Sequence, residues 1–111
     1  MLRITSLGVR PDGTIVACGI RENKISVWEL QTDFIIYSVD EIAACILSAD
    51  ARILIYATGN NHIIVWDLIE QKILNTLQGH TSPTRYISLS KDREFIASYD
   101  SNNYIKIWEI K

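Results

Sequence analysis

The chain has 111 residues, of which 48% are hydrophobic and 22% charged, a composition typical of a globular domain. Its formal net charge is −2 and its basic residues are scattered, which argues against the clustered basic face of nucleic-acid-binding proteins. No stretch approaches the roughly 18 apolar residues of a membrane helix, and the N-terminus lacks the pattern of a signal peptide. Two cysteines are too few for a disulfide framework, so we expect a cytoplasmic protein, with the nucleus as the alternative.

The first segment, residues 4–39, alternates apolar strands with polar turns. ITSLGV predicts a first strand, and PDG at 11–13 predicts a turn in which the aspartate bonds to nearby backbone amides. TIVACGI is a near-continuous apolar run, typical of a strand covered on both faces. After a polar turn at 21–23, KISVWEL alternates up to Trp28, and DFIIYSV predicts a fourth, more exposed strand.

Residues 42–77 and 84–110 repeat this order of elements. The second segment reads IAACILS, ADA, RILIYATG, HIIVWDL and KILNTL, and it predicts four strands. The third reads TRYISLS, KDR, EFIASY and YIKIWEI, and it predicts three, since the sequence stops at Lys111. Its first turn and that of the second segment lack the glycine that makes a positive φ easy in the first segment. The sequence therefore predicts eleven strands.

All three tryptophans hold the same place in these segments. Trp28, Trp66 and Trp108 are 38 and then 42 residues apart, and an acidic residue follows each one: Glu29, Asp67 and Glu109. The segments overlay without gaps, so that each tryptophan lies 18 residues after one shared position: Arg10, Ser48 and Ser90. A period near 40 residues with such an ending is the signature of a repeat architecture.

These features resemble the WD-repeat family. The residues that carry the resemblance are VRPDG, the pair Gly79-His80 and the three Trp-acid endings, and they extend over essentially the whole chain. The resemblance implies an all-β fold in which residues 1–111 form a partial β-propeller of three consecutive antiparallel blades. The blades are expected at 4–39, 42–77 and 84–110, each with four strands except that the third lacks its outer strand.

The resemblance also implies a buried structural network around each tryptophan. In the family it links a histidine, a serine or threonine, an aspartate and the Trp indole. Carried over residue by residue, the third blade offers His80, Asp100, Asn102 and Trp108. The second blade offers Thr58, Asn60 and Trp66, with Ser38 in the histidine position, and the first offers Trp28 with Ile20 and Glu22. We expect no blade to hold the complete network and packing to contribute most of the stability.

Three blades cannot close a ring. Propellers have roughly four to eight blades, and at about 40 residues per blade the smallest ring needs about 160 residues. The chain is therefore expected to be part of a longer propeller, to complete a ring with copies of itself or a partner chain, or to be an open arc. We favour the first explanation, and we expect that the isolated chain is not a monomer because its outer faces would be apolar.

No catalytic or metal-binding constellation is evident. His80 is expected to be structural, since no G-x-S-x-G motif accompanies it. His62 has no partner at metal-ligand spacing. Cys18 and Cys45 lie in apolar strands and are expected to behave as small buried hydrophobic residues. The sequence predicts neither an enzyme nor a cofactor.

The resemblance implies that protein partners dock on the top face of the blades. The matching positions are Arg3, Thr5 and Arg21 in the first blade, Glu41 in the second, and Pro83, Arg85 and Ser101 in the third. Three arginines on one rim would suit an acidic or phosphorylated segment, and solvated surface charges are the alternative.

The predicted function is thus a non-catalytic protein–protein interaction scaffold without nucleic-acid or membrane partners. Two alternatives are a substrate-recognition module of a multi-subunit enzyme such as a ubiquitin ligase, and a structural component of a cytoskeletal or ciliary assembly.

Overall fold

The computed structural model describes residues 2–110, and all regular structure in that range is β-strand. The eleven strands are β1 (Leu2–Val9), β2 (Ile15–Arg21), β3 (Lys24–Glu29), β4 (Ile35–Val39), β5 (Cys45–Leu47), β6 (Ile53–Ala57), β7 (Ile63–Asp67), β8 (Lys72–Leu77), β9 (Thr84–Leu89), β10 (Phe95–Asp100) and β11 (Ile105–Glu109). Within residues 2–110 no helix could cross a membrane.

The strands form three antiparallel sheets of consecutive strands. The first sheet contains β1 to β4, the second β5 to β8, and the third β9 to β11. The predicted all-β fold of three blades, with only three strands in the last, is therefore confirmed. In each sheet the first strand lies on the inner side, where β1 contacts β5 and β5 contacts β9.

The turn between the first two strands is built in the same way in every sheet. A carboxylate accepts a hydrogen bond from the backbone amide two residues later, at 2.9 Å for Asp12–Thr14, 3.2 Å for Asp50–Arg52 and 3.0 Å for Asp92–Glu94. The next residue has a positive φ in all three turns: 89° at Gly13, 59° at Ala51 and 64° at Arg93. The aspartate thus fixes the turn even where no glycine is present.

The gapless overlay of the three segments is wrong within the first sheet. Trp28 pairs with Ala17, eleven residues earlier, whereas Trp66 pairs with Leu54 and Trp108 with Ile96, each twelve residues earlier. The cause is a tight turn in which only two residues, both with positive φ, separate the paired Arg21 and Lys24. Counting from the tryptophans, Gly19 therefore occupies the place of Tyr56 and Ser98.

Two apolar interfaces join the sheets. Alternate residues of β6 face in opposite directions, so that Leu54 and Tyr56 pack against the first sheet while Ile53 and Ile55 pack against the third. Burying one such side chain fully contributes about 1.5–3 kcal/mol. The near-continuous apolar sequence of the second strand follows from this burial on both faces.

Among the glycines, Gly19 has the least space for a side chain. A Cβ there would overlap the carbonyl oxygen of Arg3 on the neighbouring strand. We expect Gly19→Ala to lower the free energy of unfolding by about 1–3 kcal/mol, since overpacking forces the two strands apart. Urea unfolding followed by tryptophan fluorescence would measure the change.

Gly59→Ala is the matched control, because a Cβ there would lie 3.6 Å from its nearest neighbour, an oxygen of Glu41. Equal stability changes in the two variants would contradict the close packing inferred between β1 and β2.

Candidate functional site

The third sheet holds a complete buried network around its tryptophan. His80 Nδ1 donates to Asp100 Oδ2 at 2.8 Å, and His80 Nε2 lies 2.7 Å from Ser98 Oγ. Trp108 Nε1 donates to the same Ser98 oxygen at 2.9 Å. With the histidine proton on Nδ1, the Ser98 hydroxyl donates to Nε2, so every donor has an acceptor. The expectation that no blade has the full network is wrong for this sheet.

Ser98 is the network residue that the sequence analysis missed. It lies two residues before Asp100, on the same face of β10, and this period-two spacing would have been the signal for it. Asn102 takes part through its backbone amide, which donates to Asp100 Oδ1 at 2.9 Å. Burial opposes ionisation of Asp100, but hydrogen bonds from His80 and from backbone amides hold its pKa below the usual value.

The second sheet replaces this network with an aromatic cluster. Tyr56 stands where the third sheet has Ser98, and its hydroxyl lies 3.2 Å from that of Tyr37. Tyr37 in turn stacks on Trp66, with ring centroids 4.7 Å apart. The Trp66 indole nitrogen is buried without a hydrogen-bond partner in residues 2–110. The resemblance had implied Thr58 and Asn60 here, but Thr58 accepts from the His62 amide and Asn60 lies exposed in a turn.

The first sheet covers its tryptophan with an arginine. The guanidinium of Arg21 lies 5.3 Å from the centroid of the Trp28 ring and donates two hydrogen bonds of 2.8 Å to Asp33. The same ion pair lowers the pKa of the Asp33 carboxyl. Arg21 was predicted to contact a partner, which stays a prediction; within the chain its guanidinium already contacts Trp28 and Asp33. Glu22 lies exposed in the turn, and Ile20 packs between the first two sheets.

Several predicted rim residues form hydrogen bonds with other parts of the chain. The Thr5 hydroxyl donates to the carbonyl of Cys45 at 3.0 Å, and a carboxylate oxygen of Glu41 accepts from the Gly59 amide at 2.8 Å. The backbone amide of Ser101 donates to the carbonyl of Pro83 at 3.0 Å. These hydrogen bonds position the rim. Of the three arginines predicted for the rim, Arg21 is in an ion pair, whereas Arg3 and Arg85 form none in residues 2–110.

Arg3 and Arg85 come together on the walls of one open cleft. This cleft, which we call the inner cleft, has a volume of about 530 Å³ and lies where the first strands of the three sheets are side by side. Its apolar lining includes Ile42, Ala43 and Tyr86. An adjoining cleft of about 400 Å³ shares part of this lining and carries two acidic residues, Asp40 and Glu41.

A cleft of about 490 Å³ between the second and third sheets is electrically different. It also has two arginines, but Arg52 is paired with Asp67 at 3.3 Å and Arg93 with Asp50 at 2.8 Å. Its charges are thus balanced within the chain, whereas the arginines of the inner cleft are not. No group of three or more His, Cys, Asp or Glu side chains in the described part of the chain could hold a metal ion.

Two comparisons with known proteins agree with this architecture. The profile described as "WD domain, G-beta repeat" matches residues 71–109, which run from β8 through Trp108. The chain is also 32% identical, over 96% of its length, to an uncharacterized WD repeat-containing protein of Synechocystis sp. (strain ATCC 27184 / PCC 6803 / Kazusa). The matched part is 32% of that protein, so the chain spans about a third of the length of this relative.

The Ser98 hydroxyl is the link on which the third network depends. We expect Ser98→Ala to lower the free energy of unfolding by about 1–3 kcal/mol, because it leaves a ring nitrogen of buried His80 and that of half-buried Trp108 without their partner. Urea unfolding at neutral pH would measure it.

Ser26→Ala serves as a matched control, since this buried serine makes one long hydrogen bond of 3.4 Å. If Ser98→Ala were no more destabilising than Ser26→Ala, the network would not contribute to stability as inferred.

Proposed function

We propose that this chain, which belongs to the WD-repeat family, is a non-catalytic protein-interaction scaffold whose inner cleft binds an acidic peptide segment. WD repeats generally mediate protein–protein interaction. The observation that carries the proposal is the pairing of Arg3 and Arg85, two arginines without an ion pair in residues 2–110, in one partly apolar cleft. Rigid sheets support the cleft, and binding residues are commonly placed on such frameworks.

The chemistry of the cleft favours carboxylates on an extended chain. A guanidinium donates two parallel hydrogen bonds to a carboxylate, and such charge-assisted bonds are roughly twice as strong as neutral ones. Tyr86 and Ile42 add an apolar surface on which the aliphatic part of a peptide can pack. Asp40 in the adjoining cleft has the opposite charge, so it would disfavour an acidic segment that continues in that direction.

Replacing both arginines tests the proposal. We expect Arg3→Gln/Arg85→Gln to weaken the binding of a fluorescently labelled glutamate-rich peptide by about tenfold or more, since each lost contact removes roughly 1 kcal/mol. Fluorescence anisotropy at low and at physiological salt would measure the affinity, and wild-type binding should fall as salt rises.

Arg52→Gln/Arg93→Gln is the charge-matched control, because it removes the same two positive charges from the cleft whose arginines are already paired. Equal weakening in both double variants would show that the peptide responds to net charge and not to the inner cleft. No binding by the folded wild-type chain would also reject the proposal.

We further propose that another blade covers the outward face of the third sheet. Ile105 and Ile107 on β11 are 73% and 66% exposed. In the first sheet, Ile25 and Val27 lie at the same distances before their tryptophan. Both are 0% exposed because the next sheet packs on them. The greater length of the Synechocystis relative supports a longer propeller as the source of that blade.

The edge of β11 supports the same proposal. In residues 2–110 this strand pairs only with β10, whereas β3 and β7 each have an outer strand as a second partner. An unpaired edge next to exposed isoleucines favours association. Without further blades, the 111-residue chain is therefore expected to associate with itself through this surface.

Light scattering at micromolar concentration tests the exposed face. We expect the wild-type chain to be larger than a monomer and Ile105→Lys/Ile107→Lys to shift it to the monomer mass, since two buried charges would disrupt the contact. Ile73→Lys, on the outer strand of the second sheet, is the control and should leave the mass unchanged. A monomeric wild-type chain that unfolds cooperatively would contradict the proposal.

A further inference from the structure

Two cysteines on different sheets face each other across the first core interface. Cys18 lies on β2 of the first sheet and Cys45 on β5 of the second, and both belong to the same apolar cluster. Both are buried and both are free thiols. They are 27 positions apart in the sequence, so their proximity comes from the packing of one sheet on the other.

The hydroxyl of Thr5 lies close to both cysteine sulfurs. Its Oγ1 lies 3.6 Å from Cys18 Sγ and 3.3 Å from Cys45 Sγ. The same hydroxyl is 3.3 Å from the Cys18 carbonyl oxygen and 3.0 Å from that of Cys45, which fixes Thr5 between the two strands.

The surroundings of the two thiols are unequal. Cys45 and Thr5 line the inner cleft together with Arg3, whereas Cys18 lies behind them. The neighbouring Cys18 thiol and Thr5 hydroxyl, with the positive charge of Arg3, lower the pKa of Cys45 although burial opposes this. The neighbouring Cys45 thiol and burial both raise the pKa of Cys18. Because Cys45 borders the cleft while Cys18 does not line it, Cys45 is the cysteine that a small oxidant reaches first, and access of this kind is one property of a reactive cysteine.

We propose that Cys18 and Cys45 form an oxidisable pair that hydrogen peroxide converts into a disulfide between the first and second sheets. The Cys45 thiolate attacks one peroxide oxygen, forming an S–O bond and breaking the O–O bond, and the departing hydroxide takes a proton to become water. The Cys18 sulfur then attacks the Cys45 sulfenic acid, forming the S–S bond. The hydroxyl leaves with the Cys18 proton as a second water.

This modification site goes beyond the proposed binding function and does not require any peptide in the cleft. Its oxidant must be small, because Cys45 is only 3% exposed. Hydrogen peroxide fits this requirement. The resulting bond would fasten β2 to β5, next to the cleft that carries Arg3 and Arg85.

Thiol labelling combined with intact mass measurement tests the pair. The reduced full chain is exposed to hydrogen peroxide, unfolded, and alkylated with iodoacetamide. We expect both alkylation sites to be lost and the mass of the single chain to fall by two hydrogen atoms, with full recovery after treatment with dithiothreitol. Persistence of both thiols, while glutathione in the same solution is oxidised, would overturn the proposal.

Two single variants separate the roles of the cysteines. In Cys18→Ser, we expect a sulfenic acid at Cys45 that dimedone traps, because no neighbouring thiol consumes it. In Cys45→Ser, we expect Cys18 to react at least about tenfold more slowly than Cys45 does in the wild-type chain. Equal rates for the two cysteines, or disulfides found only between chains, would likewise overturn the proposal. Circular dichroism confirms that each variant is folded.

Discussion

Each sheet of this chain has two apolar faces, and a sheet buries both only when it has a neighbour on each side. The second sheet meets this condition, since Leu54 and Ile55, neighbours in the sequence, are both fully buried on opposite faces. The alternation of side chains along a strand therefore joins three sheets into one structure. Stability lies in the interfaces between sheets, and each sheet depends on the surface that the next one presents.

The three tryptophans show how one position can be satisfied by different physical means. Trp108 is held by a neutral hydrogen bond to Ser98, Trp66 by stacking on Tyr37, and Trp28 by the guanidinium of Arg21. The Gly79-His80 pair accompanies the hydrogen-bond network around Trp108. His80 takes part in that network, and Gly79 leaves room for the Trp108 ring, which a Cβ would approach to 2.9 Å. Where the histidine is absent, larger aromatic or charged side chains fill the space that the network would occupy.

The strands and turns could be predicted because periodicity and turn chemistry act locally. The register of the first sheet could not, since two changes offset each other. Its second turn is short, but Arg10 lies seven residues before Ala17, whereas Ser48 lies six before Leu54. The distance to the tryptophan is unchanged, and the overlay hides the shift. The same limit applies to the site: the sequence identified Arg21 as a cation, but its partner Asp33 is known only from the folded chain.

The distribution of ion pairs distinguishes the arginines of the inner cleft from the others that are described below. Arg21, Arg52 and Arg93 each have a carboxylate partner, and each of these pairs braces a turn or a sheet edge. A surface pair of this kind contributes little to stability, commonly about 0–1 kcal/mol. Its larger consequence is that a carboxylate of the chain already partners the positive charge of the guanidinium. Arg3 and Arg85 lie where the inner strands of the first and third sheets leave space, and no carboxylate pairs with them in residues 2–110. Because no ion pair in residues 2–110 neutralises these two guanidinium groups, the proposed attraction of an acidic partner depends on this cleft and not on the chain's net charge of −2.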